Sequence, residues 1–486
     1  MAQSVKIPKL TKKEMQEDIN FLYHIILEVN PHLVIREKVT NTNLRDELLQ
    51  LSKNAQHLKT FEEFYYLASD MLALCQDQHN ALQSYYPAEF EKNNPYIHPK
   101  SVAISEICES KYNKYYFAGY AVTYIDGQYY RVEEIRNRKT QSVLIPAKAQ
   151  ILKVNNLPID EYIAQWNRKI DPTIRWDNIN KKYYSTRLYM PILTGLSSPK
   201  FDITYQKGDT IATENLMIHT EETGYYSDDE AKVHYFSEQK ILYIRVPDMD
   251  LSYLELFEQQ IIQHKDSDIN KVVIDIRDNG GGNDMTWFEL LSLIIDQPIV
   301  VDLSMYLRNS DVVLNYLKDI RGKEIDKAKY PLLTIDTNTY FRFSDETDTI
   351  LPKENSINYS GKIYVLVNER CFSSSLAFTA TCNKSEKLIT VGQPTHWIGG
   401  RGITPFFFAM PNSKLIFALT PTLDNSHVHN IEDYYDNYVK IHVPLTIDDY
   451  HAEIIYQQTE YPHQGKRYDK SYLLQYDKVF RKIIEQ

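Results

Sequence analysis

The run VVIDIRDNGGG, Val272 to Gly282, constrains the fold more than any other stretch of this chain. Val272, Val273 and Ile274 are β-branched and consecutive, the pattern of a parallel strand buried on both faces. The run passes through Asp275, Ile276, Arg277, Asp278 and Asn279 into three glycines, Gly280, Gly281 and Gly282. Glycines just past a buried strand let the backbone take positive φ and come close to another group. In an open α/β sheet ligands bind at that carboxyl end. The turn is therefore either a plain loop or one wall of a site. It is not a phosphate loop, because no Lys-Ser or Lys-Thr follows and the dinucleotide spacing is absent.

Around this strand the hydrophobic period alternates between strand and helix. Ile241 to Val246 and Ile363 to Asn368 read as strands, as does Leu388 to Gly392, with PFFFAM and KLIFAL following. Tyr253 to Gln263, Trp287 to Ile295 and Ser374 to Cys382 read as helices. Residues Ile299 to Asn358 mix short strands and loops in no legible order. Upstream, Thr11 to about Glu89 reads as helical: Thr11 and Glu14 fit a capping box, and Ile19, Leu22, Tyr23, Ile26 and Leu27 recur at helical spacing. A second helix, Phe61 to Leu74, empties into CQDQHNAL, with Asp77, His79 and Leu82. From Pro87 to Ile203 the signals are short strands (SVAIS, YYFAGYAVTYI, YYRVEEI, SVLIP), then ILKV, an Asn-Asn turn and a helix from Ile159. Such small β-rich modules hold extended peptides by strand addition. The acidic stretch Glu221 to Glu230 reads as a linker, and the sequence from Tyr450 onward as terminal helices.

The expected organisation is a helical region over 1–86 carrying His79, a β-rich module over 87–215, an α/β core over 216–446 and a helical extension over 447–486. A chain of 486 residues suits several domains. With 43% hydrophobic and 24% charged residues it can bury a core. Its formal charge of -11 and the lack of a basic tract argue against nucleic acid. Cys75, Cys108, Cys371 and Cys382 have neither the density of a disulfide framework nor the spacing of a metal site. No apolar run is long enough to span a membrane. The start, MAQSVKIPKLTKKEM, has no apolar signal segment. The expectation is a cytoplasmic protein, or an exported one, periplasmic or on the surface, whose signal has been removed.

The second informative joint is VLVNERCFSSSLAFTA, where a buried strand runs into Cys371, Phe372, Ser373, Ser374 and Ser375 and then an apolar helix. A serine at such a turn exposes its hydroxyl, and the following N–H groups point towards a developing oxyanion. Serine is also a common N-cap, which alone explains its presence. If the serine and glycine turns meet at one end of a parallel sheet, a nucleophile lies beside N–H donors. That arrangement suits acyl transfer, provided a base reaches the serine.

With these residues in view, the sequence resembles the tail-specific, or C-terminal processing, serine peptidases, especially their tricorn-core-like branch. DIRDNGGG resembles the family's Asp-Leu-Arg-x-Asn-x-Gly-Gly signature, and NERCFSSSLAF with TVGQPTHWIGG its nucleophile helix and the strand beyond. DQHNAL is similar to its Asp-x-His-Thr element, and IPAKAQILKVNNLPI to a segment of its PDZ-like module. The resemblance implies an α/β catalytic core with a mixed sheet, a crotonase-like ββα superhelix, bearing an inserted PDZ-like module. It implies Ser373 as nucleophile, with the N–H groups of Ser374 and of Gly281, or in second place Gly282, as the oxyanion hole. Asp275, Arg277 and Asn279 would shape the loop.

For the base, the processing branch uses a lysine after the Val-Gly strand, but that loop here reads Thr395, His396, Trp397, Ile398, Gly399, Gly400. The tricorn-like branch uses a histidine, and His79 stands in the matching element. A histidine also has the intrinsic pKa suited to a neutral-pH base. His79 is preferred over His396, Lys384 and Lys387. The branch's companion serine is replaced by Gln78 and the glutamate of the nucleophile helix by Leu376. Glu432, Asp433 and Asp436 are the carboxylates considered for orienting His79.

The expected function is a serine peptidase acting on peptides or unfolded proteins, without metal or organic cofactor. Its oligomeric state is not legible. The alternatives are an inactive peptide- or ligand-binding relative of the same fold and, less favoured, an esterase.

Overall fold

The computed structural model describes residues 6–84, 94–112, 119–137, 139–189, 200–217, 230–301, 305–326, 332–343, 348–395, 404–425, 428–435, 438–460 and 468–486. A six-stranded sheet organises it, in the order Lys232–Phe236, Ile241–Arg245, Lys271–Asp275, Ile363–Val367, Leu388–Gly392 and Ile441–His442. The first pair is antiparallel and every later pair parallel. Val272, Val273 and Ile274 are wholly buried because helices cover both faces. Val272 and Ile274 pack with Phe257, Trp287, Leu290 and Phe378 from the helices Leu254–Ile262, Met285–Ser292 and Ser374–Lys384. Val273 packs on the opposite face with Leu473, Phe480 and Ile483, from Lys470–Gln475 and Lys478–Ile484. Successive strand residues point to opposite faces, so continuous apolarity here requires these two covers. The core is a mixed α/β fold with flanking helices, as the sequence predicts.

Lys271–Asp275 and Ile363–Val367 are adjacent parallel strands, with Asp275 opposite Leu366. Their carboxyl-end turns therefore emerge side by side. That adjacency brings the glycine turn to the serine turn.

The N-terminal helices, Lys12–Val29, Leu33–Thr40, Leu44–Lys53 and Phe61–Ala73, begin in part with capping boxes at Thr11 and Thr60. Their apolar faces pack on the hairpin Phe406–Ala409/Ile416–Leu419 and on the helix Asp311–Arg321. The Asp18 carboxylate pins this contact by accepting the N–H groups of Asn412 at 2.8 Å and Ser413 at 2.7 Å. Ala81–Gln83 then pairs antiparallel with Ile416–Leu419, Ala81 opposite Ala418. This pairing fixes the position of the residues just before it, including His79.

The β-rich part forms an antiparallel sheet in the order Thr210–Met217, Lys200–Lys207, Ala149–Val154, Gln128–Arg131, Thr123–Ile125. It encloses its own core around Tyr129, Ile151, Tyr162 and Ile203. Asn155 and Asn156 both take positive φ, 49° and 64°, in the turn that the sequence marks.

Two local readings are corrected. SVAIS opens the helix Ser101–Tyr112 rather than forming a strand. The alternation of Val102 and Ile104 suggests a period of two, but the buried residues Ser101, Ile104, Ser105, Cys108 and Tyr112 follow the helical period. Within the stretch without legible order lies the helix Asp311–Arg321, capped by Ser310 and ended by Gly322 at φ 63°. Its caps were legible signals, obscured by the short strands on either side. Apart from Glu230, the acidic stretch lies outside the described residues.

Candidate active site

Ser373 sits at the turn between the strand Ile363–Val367 and the helix Ser374–Lys384, at φ 56° and ψ -121°. A non-glycine residue in such a conformation costs about 1–3 kcal/mol, and it persists only where the surroundings hold it. The three serines have separate partners. The Ser374 hydroxyl donates to the Asp284 carboxylate, and the Ser375 hydroxyl to Asn279 Oδ1 at 2.6 Å. Ser373 makes no side-chain capping bond; its Oγ lies 3.2 Å from His79 Nε2. Capping therefore does not account for this serine. The helix that follows aims its positive N-terminal end at the same place.

His79 is held on its other side. Its Nδ1 lies 3.1 Å from Asp77 Oδ1, which also accepts the His79 backbone N–H at 2.9 Å. The Phe372 ring stacks on the imidazole, with centroids 4.6 Å apart and planes at 28°. Asp77 is wholly buried, whereas the His79 side chain is 23% exposed. Burial pushes the Asp77 carboxyl up, but the hydrogen bond and charge of His79, with His32 nearby, outweigh it and leave the carboxyl below its ordinary range. Asp77 is thus ionised at neutral pH and favours the tautomer with the proton on Nδ1. The loop's geometry is set at both ends: Gln76 takes φ 54°, and Asn80 Oδ1 accepts the Thr420 N–H at 2.7 Å.

Behind Asp77, His32 is completely buried, and burial, aided by the neighbouring Arg36 charge, lowers its pKa from 6.5 to about 3. Between those values the unfolded chain binds a proton at this residue that the folded chain refuses. Stability therefore falls as pH falls through that window. From pH 7.5 to 4.5, His32 is expected to contribute roughly 2–3 kcal/mol of the loss. Urea unfolding at both pH values checks this: His32→Gln should lose that part of the acid sensitivity.

The glycine turn closes against the serine turn. Phe372 N–H donates to the Asn279 carbonyl at 3.1 Å. A Cβ on Gly281, at φ 101°, would come within 2.5 Å of Ser373 Cβ and 2.9 Å of Ser374 N. Gly281→Ala is therefore expected to destabilise the protein by on the order of 3 kcal/mol, combining overpacking with backbone strain. Calorimetry should show this as a lowered Tm. The Gly281 N–H itself is engaged, donating to Asn279 Oδ1 at 2.8 Å. The Asn279 amide also donates to Val246 O at 3.0 Å, so it braces both turns. Asp275 and Arg277 form a buried ion pair at 2.5 Å.

The other described residues considered as base or orienting group make other contacts. Lys384 ends the helix that Ser374 begins, 11 residues long, and so lies roughly 15 Å along it. Lys387 pairs with Asp296 and donates to Tyr359 O. Asp433 accepts the N–H groups of His429 and Asn430 in its own turn, and Glu432 is exposed. His396 and Asp436 lie outside the described residues. Gln78 is exposed, while Leu376 is buried in the helix after the serines. Asp77, in the DQHNAL element, is the carboxylate that faces the imidazole instead. Its signal was the Asp-x-His spacing, which lets one carboxylate take both the backbone and the ring of the histidine.

The sequence model of peptidase family S41 matches residues 240–433. That segment is similar to the S41 peptidases. The S41 match includes both turns, and His79 precedes it. The match supports a serine peptidase of the tail-specific kind, with peptides as its substrate class. The fold is similar to a crystal structure of mature CPAF, at 16% identity and TM-score 0.55, covering 92% of this chain and 98% of that one. It is also similar to mature CPAF complexed with lactacystin, at 15% identity and TM-score 0.55, covering 98% of this chain and 97% of that one. At such identities the likeness concerns the fold. No curated protein matches significantly. Among the described residues, no helix is long and apolar enough to cross a membrane.

Proposed function

We propose that this peptidase works through an acyl-enzyme on Ser373, with His79 as general base and Asp77 orienting it. The observation that carries the reading is the 3.2 Å separation of His79 Nε2 and Ser373 Oγ, within reach for direct proton transfer. His79 takes the hydroxyl proton as Oγ attacks the peptide carbonyl carbon, and the carbonyl π electrons move to oxygen. The tetrahedral intermediate collapses as His79 passes that proton to the leaving amine, so the C–N bond breaks. Water then attacks the acyl carbon, giving its proton to His79, and the Ser373 ester bond breaks to release the acid and regenerate the hydroxyl.

The Ser374 N–H, at the head of its helix, is one donor to the oxyanion. The second comes from the glycine turn. Because the Gly281 N–H is held by Asn279, Gly282 is the donor in this arrangement, and Gly281 lets the two turns meet. The β-rich part offers Thr123–Ile125 and Thr210–Met217 as outer strands of its sheet. These suit peptide capture by strand addition, and we assign it as the PDZ-like module. CPAF complexed with lactacystin is a precedent, in the same fold, for a ligand-bound form.

The test is cleavage of an unfolded, alkylated protein, read as new amino termini. The wild-type chain should generate them and Ser373→Ala should not. Stoichiometric peptide binding without cleavage by the wild-type chain would instead select the inactive binding relative.

A further inference from the structure

The turn that carries the glycines is held from behind by the last segment of the chain. Tyr468, buried and at φ 58°, donates its phenolic O–H to Asp278 Oδ2 at 3.0 Å. Its ring covers the guanidinium groups of Arg277 and Arg245, at 4.2 and 4.8 Å from the ring centre. Asp477 acts at two places. Its Oδ1 accepts the N–H groups of Val479 and Phe480, both at 2.9 Å, and so caps the final helix. Its Oδ2 accepts from Arg277 Nη2 at 2.7 Å. Arg277 in turn grips Asp275 through Nε at 2.9 Å and Nη2 at 2.5 Å.

This cluster places Arg245, Arg277, Asp275 and Asp477 together below one-tenth exposure. Desolvation offsets much of the attraction in such a group, so it is weak evidence for added stability. What it supplies is geometry, and that geometry runs directly to the reacting serine. Asp278, which Tyr468 holds, donates its N–H to Asn368 Oδ1 at 2.9 Å and accepts from Asn368 Nδ2 at 3.0 Å. Asn368 is the residue just past the strand leading to Ser373. The next residue, Asn279, binds Phe372, Ser375 and Gly281, the three groups that flank the nucleophile.

We propose that Tyr468 and Asp477 are positioning residues for the hydrolysis, through which the C-terminal segment sets the spacing of the glycine turn and Ser373. Neither is placed to touch the reacting atoms; they act through Asp278 and Arg277. The proposal rests on the assignment of Ser373 as nucleophile. It deepens that assignment by making catalytic competence depend on the chain's final helices.

The test uses the full chain with Tyr468→Phe, which keeps the ring and loses the O–H, and Asp477→Asn, which keeps an acceptor for the cap and loses the charge. Active sites are titrated with a fluorophosphonate, and kcat is expressed per titrated site for a peptide substrate. We expect kcat per site to fall about 5–10-fold in each variant, the scale of one lost positioning hydrogen bond. KM should stay within about twofold, since substrate contacts are untouched. A purely structural role would lower Tm while leaving kcat per titrated site unchanged, and that result overturns the proposal. Ser373→Ala separates the two assignments. If it keeps full labelling, the nucleophile assignment fails. If it loses labelling while Tyr468→Phe and Asp477→Asn keep wild-type kcat per site, only the positioning role fails.

Discussion

Ser373→Ala and His79→Ala should each lower kcat/KM for a peptide by about 10⁴-fold or more, and the double variant should be little worse than either alone. The reason lies in how the two side chains share one step. The Ser373 hydroxyl is a weak nucleophile until its proton has somewhere to go, and in the proposed mechanism His79 Nε2, at 3.2 Å, is that destination. Removing either member abolishes the same proton transfer, so the losses do not add. Both variants should remain folded. Ser373 makes no capping bond, and alanine meets the same strained backbone with the same Cβ. His79 is partly exposed, and its ring stacks on Phe372. Steady-state kinetics beside circular dichroism checks both halves. Independent, multiplicative losses would mean that the two residues serve different steps.

Asp77→Asn should cost about 10²–10⁴-fold in kcat with little change in shape. The carboxylate accepts from His79 Nδ1, so the protonated nitrogen faces Asp77 and the free lone pair faces Ser373. An amide in its place can donate to Nδ1 through its NH₂ group. That stabilises the opposite tautomer, whose Nε2–H cannot accept the serine proton. The His79 backbone N–H, however, needs an oxygen at the same position. The amide can present its oxygen or its NH₂ group there, not both, so the substitution sets loop and tautomer against each other. In the proposed mechanism the buried carboxylate would also stabilise the imidazolium formed during attack. The pH profile of kcat/KM is the sensitive readout: the apparent pKa of the free enzyme's base should fall in the variant, because a negative charge beside His79 has been removed. An unchanged rate and profile would mean that another group orients His79.

The parts of this arrangement that sequence made legible are those with local causes. Val272 to Ile274 carry the pattern of a buried strand, and the glycines and serines past two such strands pointed to the end of the sheet where ligands bind. The resemblance then singled out His79. What escaped depended on distant pairing. The Asp77–His79 contact is local, but its placement beside Ser373 depends on the pairing of Ala81–Gln83 with Ile416–Leu419 and on the positive φ of Gln76. Nothing in CQDQHNAL announces either. Tyr468 and Asp477 meet Arg277 and Asp278 across the sheet, a contact that no periodicity encodes. The misread SVAIS shows the opposite failure: a short window obeyed a period of two, while the longer run to Tyr112 obeyed the helical one. The engaged N–H of Gly281 is a finer case. The signature locates the glycine turn, but which of its N–H groups is free depends on the rotamer of Asn279.

The central claim is that Ser373 is activated for attack by His79. Its most direct test is to treat the intact chain with a fluorophosphonate and map the adduct by peptide mass spectrometry. A single adduct on Ser373, formed slowly in His79→Ala and not at all in Ser373→Ala, is the predicted result. An adduct on another residue, or undiminished labelling of Ser373→Ala, would contradict it.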